Sequence, residues 1–105
     1  MKLEMTVHAR VDRIERLVTI VEHIGMGEIE ATAPNPKNPG TSLVLTSTGV
    51  MLVRDDSCNR LITGWVAKTG QVINFYNSIG ITKAPQRAVK RAKENRQKYG
   101  FLYEL

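Results

Sequence analysis

The chain is poor in the residues from which most catalytic and metal sites are built. It has one cysteine, Cys58, and two histidines, His8 and His23, among 105 residues. A single cysteine excludes an intrachain disulfide and a thiolate metal cluster, and Cys58 is read as an inert turn residue. The histidines lack a carboxylate or cysteine at ligand spacing, so no metal is expected. No phosphate loop, dinucleotide fingerprint or zinc spacing occurs, and no cofactor is expected. No apolar run reaches membrane-spanning length, which excludes a transmembrane helix. The stretch MKLEMTVHARVDRIER is charged every few residues and lacks the apolar centre of a signal peptide. These absences point to the cytoplasm.

What is present in excess is positive charge, and its placement matters more than its total. The chain carries 15 basic and 10 acidic residues. Residues 1–81 hold eight of each, so the body is neutral. Residues 82–105 hold seven basic residues against Glu94 and Glu104, which is the whole net charge of +5. A neutral body with a basic tail suits a polyanionic partner, usually nucleic acid and sometimes an acidic protein, and a solvated basic helix accounts for the charge equally well.

Composition is that of one ordinary globular domain over residues 1–105, with a core in 6–81 and a basic helix and tail in 82–105. From Arg10 to Ile24, apolar residues at Val11, Ile14, Leu17, Val18, Val21 and Ile24 form a helical stripe. The glycines of GMG, 25 to 27, end that helix. EIEATA is a short turn or strand, and the prolines of PNPKNPG mark a loop. The period then changes to two: SLVLTSTGVMLVRDD reads as two strands or one bent at Gly49, and RLITGWVA as the next. Gly70 reads as a hairpin turn leading to a strand, VINFY. A last helix, about Pro85 to Tyr99, has only Ala88, Val89 and Ala92 as an apolar face, so it is expected to be loosely held. With helices segregated from strands, the fold expected is α+β: an N-terminal amphipathic helix on a three- to four-stranded antiparallel meander, then a C-terminal basic helix. Ile14, Leu17, Val21, Ile62 and Val66 are expected to share the core. Thr63 and Trp65 then face outward as a shallow platform.

His8, Arg10, Arg13, Arg54, Thr63 and Tyr76 are residue types that can surround one phosphodiester. Metal-free RNA cleavage needs a base, an acid and donors that steady the phosphorane charge. The helix opening VHARVDRIER, followed by TSTGVMLVRDD and RLITGWVAKTGQVINFY, resembles the small ribonuclease toxins of the barnase/colicin/RelE-like superfamily over residues 6 to 76. Those proteins occur in toxin–antitoxin systems, contact-dependent toxins and prophages. The resemblance implies cleavage by 2′-hydroxyl attack, with His8, Arg13 and Thr63 as catalytic residues. It also implies an acidic antitoxin or immunity protein as a partner. RNA contacts would come from Arg10, Arg54, Trp65, Tyr76, Arg87, Lys90 and Arg91. Two departures, Gly64 and the added basic helix, fit an inactive relative or a structural prophage protein equally. The alternatives are therefore a non-catalytic nucleic-acid-binding or assembly protein of a phage or mobile element, and a protein-interaction module with a basic tail.

Overall fold

The computed structural model describes residues 4–5 and 14–104, with side chains over 16–103. In chain order the elements are β1 (Glu4–Met5), α1 (Ile14–His23), β2 (Ile29–Pro34), β3 (Thr41–Thr46), β4 (Val50–Asp55) and β5 (Arg60–Val66). Then come α2 (Thr69–Ser78), α3 (Gln86–Lys98) and a 3-10 turn (Gly100–Glu104). Strands β2 to β5 pair antiparallel in sequence order, and β1 lies parallel to β5 at the far edge. The fold is α+β.

Alternation along the strands sends side chains to two faces, and each face has its own core. On the first face, the row Val44, Leu52 and Gly64 and the pair Val50 and Val66 meet Leu17 and Ile20 of α1. A glycine is needed at 64: a Cβ there would stand 2.7 Å from Leu52 Cδ2 and 3.1 Å from Leu17 Cδ2. Helix α1 therefore lies close on the sheet at this point. It ends where Gly25, at φ +83°, takes the left-handed conformation that other residues avoid.

The expected stripe of α1 is corrected by one step. Leu17 and Ile20 are the buried pair, with Ile24 packed beside them, whereas Val21 is 42% exposed. Successive steps of three and four, from Leu17 to Ile20 to Ile24, mark the face toward the sheet, and Val21 lies on its flank. Strand β5 departs from simple alternation too. Its register with β4 shifts between Val53 and Arg54, so Leu61 rather than Ile62 enters the first core. Ile62 is half-buried.

VINFY is not a strand. It belongs to α2, in which Val72, Phe75 and Tyr76 are buried, with Ile79 packed just beyond. Their spacing of three, four and seven is helical, and Gly70 lies in the first turn rather than in a hairpin. Helix α2 covers the second face, where Leu45, Met51 and Trp65 lie in one cross-strand row. Thr63 and Trp65 do point away from α1, but this face is not an open platform. Trp65 is half-buried against the second core.

Candidate functional site

Helix α3 is the most distinctive element, and its sequence explains its place. QRAVKRAKENRQK is made almost wholly of strong helix formers, and Pro85 precedes it at φ −55°. Ala88, Ala92 and Asn95, at spacings of four and three, make its buried face. The alanines join the second core beside Val72, Phe75 and Tyr76. Asn95, 3% exposed, donates from Nδ2 to the Thr48 carbonyl, 2.8 Å away in the β3–β4 turn. Gly49 in that turn, at φ +86°, leaves room for the helix: a Cβ would lie 2.5 Å from Asn95 Nδ2 and 3.0 Å from Arg91 Cγ. Past α3, Leu102 is buried in the first core, with Tyr99 and Tyr103 packed around it. The helix thus passes the turn between β3 and β4 and ties the two cores together. The apolar face is as small as expected, but its small side chains let the helix backbone approach the sheet closely, and Asn95 joins the buried face.

Apart from Val89, half-buried against the second core, the rest of α3 is exposed and mostly basic. Arg87, Lys90, Arg91, Lys93, Arg96 and Lys98 are exposed, with Glu94 the one acid among them. Arg87 and Arg91 border a cleft of about 190 Å³ between α3 and the sheet, whose other walls include Glu30, Leu45, Ser47 and Gly49. Arg87 Nε donates to Glu30 Oε1 at 3.4 Å across it, with Glu30's side chain 20% exposed and Arg87's 74%. Arg87 also borders a broader depression of about 550 Å³ with Lys90 and Lys93. Arg91 reaches a third hollow, of about 110 Å³, beside Glu94, Asn95 and Lys98. The two arginines therefore join the separate hollows into one charged surface.

Tyr76 lies behind the cleft. Burial pushes its phenol above the ordinary value of 10.0, the charge of Glu30 pushes it the same way, and Arg87 opposes both. At 4% exposure, within α2, it is not the strand-end aromatic expected to contact RNA. Trp65 is half-buried against the second core.

The sequence-predicted residues are only partly brought together. Arg87, Lys90 and Arg91 share the outer surface of α3. Arg54 is on the first face, with Ser42 opposite, at 3.8 Å from Asp56 Oδ1, which Ser42 Oγ also engages at 2.5 Å. Thr63 is on the second face, opposite Val53. Arg54 and Thr63 therefore do not converge. Thr63 Oγ1 and Trp65 Nε1 are both buried, and neither has a hydrogen-bond partner among the described residues. His8, Arg10 and Arg13 lie outside the described residues.

Sequence reasoning misses Asn95 and Glu30. The interval of Ala88, Ala92 and Asn95 carries the signal for the first. Glu30 owes its position to a bulge, where the β2–β3 register shifts between Ile29 and Ala31. Ile29 packs against the first core and Ala31 against the second, so the intervening residue swings out at the edge, toward α3. Nothing local to EIEATA marks that irregularity.

His23 is structural: Nδ1 lies 2.9 Å from the Thr19 carbonyl, and the ring packs edge-on to Phe101 at 5.1 Å. Among the described residues, no group of three His, Cys, Asp or Glu could hold a metal ion, and no helix is long and apolar enough to cross a membrane. No family model, curated protein or solved structure matches the chain.

Proposed function

We propose that this protein binds single-stranded RNA, holding the phosphate backbone along the outward surface of α3. The observation that carries the reading is the segregation of charge. All of the net charge of +5 belongs to residues 82–105, and α3 exposes six of the seven cations there. Guanidinium and ammonium groups on such a surface attract phosphates regardless of base, through release of counterions. A solvated salt-bridged helix would carry both signs; α3 has only Glu94 among six exposed cations. The test is fluorescence anisotropy with a labelled RNA oligonucleotide at low salt. Wild type should bind, and Arg91→Glu, which reverses a charge shared by two hollows, should bind far more weakly. Equal binding by both, or none by wild type, contradicts the reading.

A second reading adds catalysis: a small metal-independent endoribonuclease of toxin type, countered by an acidic antitoxin or immunity protein. The observation that favours it is the unpartnered pair Thr63 Oγ1 and Trp65 Nε1 on one strand face. Buried polar atoms without partners are costly in a purely structural strand and persist where a ligand completes them. In this reading the 2′-oxygen bonds to phosphorus as the P–O5′ bond breaks. His8 takes the 2′-hydroxyl proton and a proton is returned to the leaving 5′-oxygen, while Arg13 steadies the phosphorane and Thr63 donates to a phosphate oxygen. RNA incubated with the protein in chelator should then yield 2′,3′-cyclic phosphate ends, and His8→Ala should abolish them. Intact RNA after prolonged incubation with wild type leaves the binding reading alone.

A further inference from the structure

The cleft beside α3 holds one feature that a plain phosphate site would not: a carboxylate. Among the described residues that line it, Glu30 is the only acid, set near two guanidiniums. The bulge in β2 brings it there; the residue as a whole is exposed at the sheet edge, with its side chain 20% exposed. It is engaged by Arg87 Nε at 3.4 Å, a long contact to a side chain that is three-quarters exposed and able to swing away. The neighbouring hydroxyl oxygens already accept from the chain itself. Thr46 Oγ1 accepts from Val50 N–H at 3.1 Å, and Ser47 Oγ accepts from Glu28 N–H at 3.0 Å. Arg91 is steadied by its stem crossing Gly49.

A carboxylate in this position repels a bare phosphodiester. It becomes favourable only for a ligand that brings a hydrogen-bond donor within a few ångströms of its anion. RNA meets that requirement at every nucleotide, because the 2′-hydroxyl adjoins the phosphate; DNA presents the phosphate alone.

Resting on the RNA-binding reading above, we infer that Glu30 selects RNA over DNA by accepting a hydrogen bond from a ribose 2′-hydroxyl, while Arg87 and Arg91 hold the adjacent phosphate. On binding, Arg87 exchanges Glu30 for the phosphate, and the 2′-hydroxyl takes its place on the carboxylate. No covalent bond is made or broken in this step. Glu30 is thus a specificity residue, and the arginines supply affinity without discrimination.

The test compares three oligonucleotides of one sequence (RNA, 2′-O-methyl RNA and deoxy) by anisotropy at one ionic strength, using the full chain. The 2′-O-methyl strand keeps the RNA sugar pucker and replaces the donor hydrogen by a methyl group, whereas the deoxy strand removes the donor without added bulk. Wild type should bind RNA about tenfold more tightly than either analogue, the worth of one hydrogen bond to a charged group. Glu30→Ala should bring the three affinities close together. Glu30→Gln, which keeps the side-chain shape, should narrow the ratio without moving the thermal midpoint. Arg87→Ala should weaken all three strands alike. A wild type that binds the three strands equally overturns the inference while leaving RNA binding intact. So does a ratio that survives both Glu30 variants, or one that Arg87→Ala collapses as fully as Glu30→Ala does. A wild type that binds none of them overturns the RNA-binding reading and this inference with it.

Discussion

Asn95 shows how one side chain can determine where a helix sits. Its amide is buried and donates to the Thr48 carbonyl, so Asn95→Ala removes the donor from that half-buried carbonyl. The expected cost is about 1–3 kcal/mol in urea unfolding, and a cost below a few tenths would show the bond to be incidental. Gly64 is constrained from the opposite side. Gly64→Ala forces a Cβ against Leu52 and Leu17 and should cost about 1–3 kcal/mol by overpacking. Tyr76 gives a pH dependence. Burial, reinforced by Glu30, favours the neutral phenol, so its folded pKa lies above the unfolded value of 10.0. The unfolded chain therefore releases its proton first as pH rises. The contribution is fully present below pH 10 and is lost as pH climbs through the raised folded value. Comparing urea midpoints at about pH 9 and about pH 11 should show a smaller alkaline loss in Tyr76→Phe than in wild type. An equal loss would mean that the phenol is as well solvated folded as unfolded.

The elements differ in how far the sequence reveals them, and the reasons are physical. Strands β3 to β5 are legible because alternating Leu, Val and Met match a sheet buried on both faces, interrupted by Thr48-Gly49 and by the DDSCN turn. Helix α2 is not, because the five residues of VINFY satisfy strand propensity as well as helical spacing. Only the full set through Ile79 favours the helix. Helix α3 is legible in its extent but not in its seating: apolar area is a poor guide where alanines permit close approach. The two bulges, at Ile62 and Glu30, move one core residue and create the cleft's acid. Of the candidate site, the α3 cations are legible as a charge pattern, whereas Glu30 depends on a register visible only in three dimensions. The packing of α1 can be measured: Leu17→Ala should cost about 2–5 kcal/mol. Val21→Ala, exposed on the flank, should cost well under about 1 kcal/mol. Equal costs at the two positions would place Val21 in the buried stripe after all.

Taken whole, the molecule is a neutral two-faced sheet with a basic helix fixed across one end. Charge segregation of this kind raises the local concentration of a polyanion and makes its capture sensitive to salt. Because Ala88, Ala92 and Asn95 make the buried face of α3, its exposed cations take no part in that packing. Neutralising them should therefore change affinity without changing the fold. The sharpest test is the salt dependence of RNA affinity, for wild type and for Arg87→Ala/Lys90→Ala/Arg91→Ala, with circular dichroism confirming equal helix content. On a single strand, every phosphate the protein no longer neutralises lowers the log–log slope by about 0.7, so the triple variant should bind more weakly on every sequence, with a slope lower by about 2. A triple variant that binds as tightly as wild type, with the same slope, would contradict RNA binding through α3: its basic surface would then not be where RNA is held.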